Sequence, residues 1–410
     1  MNRKRLTLRY SEPGQSEHFK PPAVQLNKNK LNMKNMTKSL VLGAALALNL
    51  FTTHAAQTAE AAPAPLVQVA ILLDTSGSMQ GLIEQAKSQL WKIVNEFINA
   101  KQNGRRPDLQ VALYEYGKSS LAKESGWIRQ IVPFTNDLDK ISEELFKLKT
   151  NGGEEYCGWV IKDAVEQLAW SKSPNDFKAI FIAGNEPFTQ GPVDYKQSCK
   201  AAIEKGIIVN TIHCGDQATG LSTKWQDGAL LAEGKYMFID HNRAVVHFEA
   251  PQDKEIAQLG VELNKTYIAY GTVGAQNQAR QSQQDANVFS LAPSAGASVQ
   301  RALTKASVNY CNTSWDLVDA CKEGAVKLTE MKKEELPAEM QKMSEKERTA
   351  YVETKTQERA QLQEKINRLN SERSKFVAEQ TKHQSGSNTL DTVIVSAIRE
   401  QAVKKNYRFD

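Results

Sequence analysis

The stretch VQVAILLDTSGSMQG, residues 67–81, carries the strongest structural signal in the chain. Its first half, together with Leu66, forms a nearly continuous apolar run over residues 66–73. Such a run is typical of a central β-strand that is buried on both faces. The run ends in Asp74, and Ser76 and Ser78 follow with one residue between each pair. Because this alternation lets both hydroxyls turn to the same side, we expect an oxygen-rich site where the strand ends.

The segments that follow alternate between strand-like and helix-like patterns as far as about Gly271. LIEQAKSQLWKIVNEFINA has apolar residues at helical spacing, whereas FKAIFIAG and IIVNTIHCG are typical of buried strands. DLQVALYEYG and WIRQIVPFT predict a strand pair, and YMFID a last short strand. This order predicts an α/β fold with a doubly wound, mostly parallel six-stranded sheet. Ligands bind such sheets at the carboxyl ends of the strands, where Asp74 lies.

The composition divides the chain into four predicted parts. Residues 1–61 form a leader and residues 62–271 the α/β domain. Residues 272–312 are rich in Gln, Ala, Ser and Gly, with few bulky apolar side chains, which predicts a linker. Residues 313–410 have helical patterns throughout and form a predicted helical extension.

Two segments of the extension have distinct helical patterns. Leu362, Ile366, Leu369 and Phe376 form an apolar seam of only about two heptads, which indicates a coiled coil but is too short to establish a long one. LDTVIVSAIREQAV has strong amphipathic spacing, so we expect this last helix, which starts at Leu390, to pack on the body of the protein or on a partner.

The leader has the pattern of a mis-annotated start followed by a signal peptide. Translation is expected to begin at Met33 or Met36, shortly before an apolar run over residues 40–51. Small residues follow, with candidate cleavage sites between residues 55 and 61. The run is too short to cross a bilayer. We therefore expect an exported protein, periplasmic or secreted, with no transmembrane segment in the mature chain; an uncleaved anchor is the alternative.

The charge of the chain comes mainly from the leader. Residues 1–61 carry nine Lys and Arg against three Asp and Glu, whereas the whole chain has a net charge of +5. The mature part is therefore close to neutral, and its composition does not favour a nucleic-acid partner.

All five cysteines follow the leader, in a part of the chain that is expected to meet an oxidising compartment. Cys311 and Cys321 lie ten residues apart and are one predicted disulfide. Cys199 and Cys214 would close a short helix-to-strand loop and are the second. Cys157 is then left as a free thiol.

The segment LLDTSGSM resembles the metal-ion-dependent adhesion site of von Willebrand factor type A domains, which begins with Asp-x-Ser-x-Ser after a buried strand. The order of strands and helices over residues 66–250, about half of the chain, matches that fold. The resemblance implies a divalent cation bound directly by Ser76 and Ser78, with Asp74 acting through water. It also implies ligand binding without catalysis. An all-oxygen site favours Mg²⁺, with Mn²⁺ or Ca²⁺ as alternatives.

Two loops depart from the family pattern. TNGGEEYCGW has Glu154 where the family supplies a threonine, and FIAGNEPF has Gly184 where it supplies an aspartate. Glu154 or Glu155, or Glu186 from the other loop, could restore the lost charge, directly or through water. Alternatively, the site is degenerate and these loops only cap their helices.

These features predict an exported protein-binding module that bridges through a metal to a carboxylate of an unidentified partner protein, and not an enzyme. One alternative is a scaffold whose helices carry the interaction and whose metal site is vestigial. Another is a hydrolase or redox protein that uses Cys157, His213 and Cys214, which we expect near the carboxyl edge of the sheet, with the acids Glu154 and Glu155.

Overall fold

The computed structural model describes residues 64–98, 100–242, 247–291, 296–381 and 389–409. All of them belong to one compact unit, residues 61–410. The predicted leader, residues 1–61, lies outside the described residues. The strands are β1 (Leu66–Asp74), β2 (Ala100–Gln102), β3 (Asp108–Tyr116), β4 (Ile128–Thr135), β5 (Phe177–Gly184), β6 (Ile208–Cys214), β7 (Tyr236–Ile239) and β8 (Tyr407–Phe409).

The described residues also form thirteen α-helices. They are α1 (Gln80–Asn95), α2 (Leu138–Lys147), α3 (Cys157–Gln167), α4 (Tyr195–Glu204), α5 (Gln217–Ser222), α6 (Trp225–Leu231), α7 (Asp253–Leu263), α8 (Gly274–Ser290), α9 (Ala297–Lys305), α10 (Leu317–Lys322), α11 (Ala338–Gln341), α12 (Glu345–Thr381) and α13 (Leu390–Val403).

The main sheet has six strands in the order β4-β3-β1-β5-β6-β7, and only β4 runs antiparallel. This confirms the predicted mostly parallel sheet and the predicted strand pair. The strand order reverses at β1, because β3 lies on one side of it and β5 on the other. The crevice at this switch point is therefore flanked by the loops after Asp74 and Gly184.

Apolar side chains cover both faces of the sheet. Along β1, Val69 and Leu73 belong to the core cluster that includes α1, α2 and α13, whereas Ala70 and Leu72 belong to the cluster that includes α3 and α4. Successive residues of a strand point to opposite faces, so a strand covered on both sides needs a continuous apolar run.

The predicted linker, residues 272–312, is instead mostly helical. It contains α8 and α9, and α9 packs against α1 and α7. Arg301 is buried there; it donates hydrogen bonds to Asp139 at 2.6 Å and to Asp285, and it lies over the Trp91 ring. The linker prediction was wrong because this segment packs through buried polar side chains, which composition alone assigns to solvent.

The long helix α12 packs on its own chain. Ile366 and Leu369 lie in an apolar cluster with residues of α7 and α9. Arg359 is buried and donates hydrogen bonds to Asp316 at 2.6 Å and Asp319 at 2.8 Å. The predicted coiled-coil seam is thus part of an intramolecular core.

The last helix, α13, packs against α1 and β7, as its amphipathic pattern predicts. After it, β8 pairs with β2 in a second, two-stranded antiparallel sheet that sequence analysis missed. Among the described residues, no helix is both long enough and apolar enough to span a membrane.

Both predicted disulfides are absent, since all five cysteines are free thiols. Cys199 and Cys214 cannot approach each other, because they belong to core clusters on opposite faces of the sheet. At Cys311 and Cys321 the turn is closed instead by a hydrogen bond from the backbone N–H of Asn312 to the Asp319 carboxylate, 2.8 Å long.

Candidate functional site

The loop after β1 brings one acid and two hydroxyls together. Asp74 is fully buried, and its Oδ1 accepts a hydrogen bond from the backbone N–H of Ser76 at 2.7 Å. The Oγ atoms of Ser76 and Ser78 lie 3.4 Å apart. Ser76 is buried, whereas Ser78 is exposed at the surface of the crevice. The two hydroxyls thus lie close together, as predicted, and the site is accessible to solvent on the side of Ser78.

The Asp74 carboxylate has one oxygen without a protein partner. Oδ2 is buried and accepts no hydrogen bond of good geometry from the described residues, although the nearby backbone N–H of Asn185 lowers the pKa of the carboxyl. A buried carboxylate oxygen normally has a partner, because leaving it unpaired costs about 1–3 kcal/mol or more. This atom therefore marks a place where an additional group would be favourable.

Glu155 approaches Asp74 across Gly117, the residue after β3. A Cβ atom added to Gly117 would lie 2.7 Å from Glu155 Cγ and 2.9 Å from Asp74 Oδ1, and the φ of Gly117 is +82°. Glycine is therefore required at this position for both its conformation and its lack of a side chain. Glu155 is only 6% exposed. The second loop thus adds a second buried carboxylate to the site.

Glu154 points away from this pair. It is exposed, and its Oε2 accepts a hydrogen bond of 3.1 Å from the side chain of Gln190. The oxygen of the same Gln190 amide accepts the backbone N–H of Glu155 at 3.3 Å. Of the two adjacent acids that sequence analysis could not separate, the structure brings Glu155 to Asp74 and leaves Glu154 at the surface.

The third loop of the site follows β5. It begins at Gly184, which is closely packed, and it contains the half-buried acid Glu186. A Cβ at Gly184 would lie 2.5 Å from the Tyr116 hydroxyl and 3.0 Å from Asp74 Oδ2. The Tyr116 hydroxyl donates a 3.0 Å hydrogen bond to the carbonyl oxygen of Ala183. Tyr116 therefore fills the space where the family pattern expects an aspartate side chain.

Tyr116 was missed by sequence analysis, although a signal for it exists. It is the last residue of β3 and pairs in register with Asp74. Parallel neighbours end at the same edge of a sheet, so the side chain beside a site residue can be found once the strand order is known. The sequence alone did not provide that order.

The acids of the site repel one another. Burial raises the pKa of Asp74 to about 7, more than the hydrogen bonds from Ser76 lower it. Burial also raises the pKa of Glu155 to about 8, with further contributions from the charges of Asp74 and Glu186. No Lys, Arg or His forms an ion pair with these three acids in the part of the chain that the structure describes. The site therefore lacks a positive charge that a divalent cation would supply.

The donor atoms suit a hard cation. The two serine hydroxyls and the carboxylates provide only oxygen ligands. Mg²⁺ prefers oxygen ligands, whereas zinc is more often bound by nitrogen and sulfur. The described residues contain no group of three or more His, Cys, Asp or Glu side chains that is arranged to bind a metal. A metal at this edge of the sheet would therefore depend on Ser76 and Ser78.

The second predicted constellation is divided by the sheet. Cys157 and Cys214 lie in core clusters on opposite faces. Burial raises the pKa of both thiols well above the usual range, which disfavours the nucleophilic thiolate. Cys157 Sγ contacts the Tyr116 hydroxyl at 3.8 Å, and no hydrogen bond joins it to His213 among the described residues.

One family model and several solved structures are similar to part of this chain. A family model described as the von Willebrand factor type A (VWA) domain matches residues 68–224. BatB, a conserved hypothetical protein from Bacteroides thetaiotaomicron, has 19% identity over 42% of this chain and 90% of that one, with a TM-score of 0.33. The VWA domain of SpRpn10 has 18% identity over 42% of this chain and 88% of that one, with a TM-score of 0.33.

A structure of proximal thread matrix protein 1 from the mussel byssus, with zinc in its metal-ion-dependent adhesion site motif, is also similar. It has 13% identity over 43% of this chain and 42% of that one, and a TM-score of 0.33. No curated protein sequence matches the chain.

The family match includes all three loops of the site, from the Asp-x-Ser-x-Ser segment through Glu155 to Gly184 and Glu186. It ends before the helices that follow β7, so the rest of the chain lies outside the matched region. Residues 68–224 therefore match the von Willebrand factor type A domain family, and this match covers less than half of the chain.

Proposed function

We propose that this protein is an exported protein-binding module that holds a divalent cation, Mg²⁺ in preference to Mn²⁺ or Ca²⁺, and uses it to capture a carboxylate of a partner protein. VWA domains are protein-interaction modules, which supports binding as the general role. The observation that carries the metal is the pair of buried acids, Asp74 and Glu155, which converge without a cation.

Each residue of the site would have a distinct role in binding the cation. Ser76 and Ser78 would bind the cation directly through neutral hydroxyls, and Asp74 would act through water. Glu155 would supply the negative charge that the family pattern takes from the third loop, where this chain has Gly184. Glu186, which is half-buried and close enough to affect both acids, would contribute through water.

Partner binding follows from the small number of charges around the cation. Neutral hydroxyls leave more of the positive charge of the metal uncompensated than carboxylates would, so the ion keeps its attraction for an added anion. Ser78 is exposed, which gives a partner access to that side of the site. An aspartate or glutamate of the partner is the side chain that this chemistry favours.

Calorimetric titration of residues 62–410 with MgCl₂, after treatment with EDTA, tests the metal. Saturable binding is expected for the wild type. Ser76→Ala removes a direct ligand and Glu155→Gln removes a buried charge, so both should weaken binding by about tenfold or more. Glu154→Gln is the matched control, since Glu154 is exposed and should leave affinity unchanged.

Absence of saturable heat with both MgCl₂ and MnCl₂ would contradict the proposed metal site. Equal weakening by Glu154→Gln and Glu155→Gln would show a diffuse electrostatic effect instead. If a partner is retained equally by the wild type and by Ser76→Ala in the presence of EDTA, the alternative of a helical scaffold is favoured.

Export is a separate part of the proposal and rests on the pattern of residues 1–61. Expression of the full chain followed by cell fractionation and mass analysis of the mature N-terminus tests it. A mature protein that starts between residues 56 and 62, outside the cytoplasmic fraction, is expected. An intact leader in the cytoplasm would contradict it.

A further inference from the structure

A cavity opens at the amino-terminal ends of β5 and β6, at the opposite end of the strands from Asp74. Its volume is about 680 Å³, which lies within the roughly 300–1,000 Å³ that is usual for small-molecule sites. The segment before β5 (residues 168–178), the end of α4 (residues 203–206) and Lys405 line it. Because it lies across the sheet from Asp74, it is separate from the proposed metal site.

Four lysines line this cavity without a carboxylate partner. They are Lys172, Lys178, Lys205 and Lys405. The Nζ of Lys178 donates to the carbonyl oxygens of Ser171 at 2.9 Å and Lys205 at 2.6 Å. The Nζ of Lys405 donates to the carbonyl oxygen of Pro174 at 2.8 Å. None of the four ammonium groups forms an ion pair with a described carboxylate, although the more distant charge of Asp176 acts on Lys178.

The nearby acids are already engaged. Glu204, which also lines the cavity, forms its ion pair with Lys200, at 4.0 Å. Asp176 accepts hydrogen bonds from the backbone N–H of Leu66 at 3.2 Å and from the hydroxyl of Ser171 at 2.5 Å. The cavity therefore has an excess of positive charge.

Lys178 is the most informative of the four residues. It is only 4% exposed, and burial, together with the charge of Lys405, lowers the pKa of its ammonium group. A lysine has three N–H donors, and two of them reach carbonyl oxygens here. Burying an ammonium group beside other cations is unfavourable, so an anion in the cavity would relieve a real electrostatic cost.

An aromatic wall accompanies the charges. Trp170 lines the cavity, and its position is set by a hydrogen bond of 2.8 Å from Nε1 to the carbonyl oxygen of Ala164 and by edge-to-face packing on Phe134. Leu168 and Ile203 add apolar surface. The cavity is much larger than an inorganic ion needs, and its lining offers contact to an apolar group as well as to a charge.

We propose that this cavity binds a small organic anion, whose phosphate or carboxylate group lies between Lys178 and Lys405 and whose apolar part contacts Trp170. The site requires the end of the chain, because Lys405 follows α13 and lies far outside the VWA match. The inference is independent of the proposed metal-dependent function, since it uses none of the same residues.

Calorimetric titration of residues 62–410 with citrate and, separately, with inorganic pyrophosphate tests the site. Divalent cations are removed beforehand with EDTA, which is then dialysed away because it is itself a polycarboxylate, and chloride holds the ionic strength constant. We expect saturable binding of at least one probe, and the stronger probe identifies the carboxylate or the phosphate class. Lys178→Met and Lys405→Gln should each weaken that binding by about tenfold or more.

Lys196→Met is the matched control, because Lys196 is an exposed lysine of α4 outside the cavity lining. It should bind as the wild type does. Circular dichroism checks the fold of each variant, and if Lys178→Met does not fold, Lys405→Gln decides. No saturable binding of either probe at millimolar concentration, or unchanged affinity in Lys405→Gln, would overturn the proposal.

Discussion

Tyr116 and Gly184 explain how this site can depart from the family pattern and still be tightly packed. The Tyr116 hydroxyl lies where the first carbon of a side chain at position 184 would have to go. A glycine there is thus the consequence of a large residue on β3, which lies two strands away across β1. The carboxylate that the third loop lacks is present nearby as Glu155, on a different loop.

Replacing Gly184 by alanine should destabilise the protein by about 1–3 kcal/mol, because the new Cβ meets the Tyr116 hydroxyl at 2.5 Å in a packed interior. Urea unfolding in EDTA measures the free energy. Gly152→Ala is the matched control, since a Cβ at Gly152 meets nothing within 4 Å. Adding Tyr116→Phe should recover part of the loss at position 184. Equal effects of the two alanine variants would contradict this account.

His213 should make stability depend on pH. Burial lowers its pKa below the ordinary value of about 6.5, and the charge of His241 acts in the same direction, whereas Asn185 and Asp216 oppose it. The unfolded chain therefore binds more protons than the folded one below about pH 6.5. Stability should fall as the pH drops through 6.5 toward the folded pKa. The substitution His213→Gln removes this contribution of His213 to the pH dependence of stability.

Chemical unfolding of the wild type and of His213→Gln at pH 7.5 and pH 5.5 measures the difference. The wild type should lose more free energy of unfolding between the two pH values than the variant does, while the carboxylates common to both proteins cancel in the comparison. An identical pH dependence of the two proteins would show that His213 does not titrate differently on folding.

At the scale of elements, α13 completes the α/β core although it lies at the end of the chain. Ile394 and Ile398 belong to the same apolar cluster as α1, and the side-chain amide of Gln401 pairs with that of Asn210 on β6. The buried carboxylate of Asp391 accepts a hydrogen bond from Lys92 on α1 at 2.5 Å. This helix is therefore bound by apolar and polar contacts together.

Ile398→Ala should lower the free energy of unfolding by about 2–5 kcal/mol, because it removes a fully buried side chain and leaves a cavity. Val403→Ala, at the end of the same helix, is the control. Val403 is 58% exposed, and its truncation should change stability by less than about 0.5 kcal/mol. Urea denaturation distinguishes the two; a small effect of Ile398→Ala would mean that α13 is not part of the cooperative core.

The helices α8 and α9 show why composition was misleading at this scale. Gln281, Gln284, Arg301 and Lys305 are all buried, although each is a residue type that normally lies at the surface. Their partners come from distant parts of the chain, such as Asp139 on α2 and the carbonyl oxygen of Gly260 on α7. A sequence pattern does not show such pairing, so the segment resembled a linker.

For the whole molecule, the VWA domain and the helices around it form one compact unit. The fragment 62–271 would lack α9, which packs on α1, and α13, which packs on α1 and β7. We expect this fragment to be far less stable than residues 62–410, because it exposes the apolar face of α1 to water.

Thermal unfolding followed by circular dichroism compares the two proteins at equal concentration in the same buffer. A broad or absent transition is expected for residues 62–271 and a cooperative one for residues 62–410. A cooperative transition of the fragment within a few degrees of the longer chain would show that the VWA domain is autonomous.

The sequence by itself determined the sheet, the strand pair, the position of the Asp-x-Ser-x-Ser loop and the amphipathic last helix, because these depend on local periodicity and on short spacings. Tertiary structure alone decided that Glu155 and not Glu154 joins Asp74, that Tyr116 fills the space beside Gly184, and that residues 272–312 pack as helices. Each of these depends on contacts between residues far apart in the chain, and the order of strands that creates those contacts is not written in any local pattern.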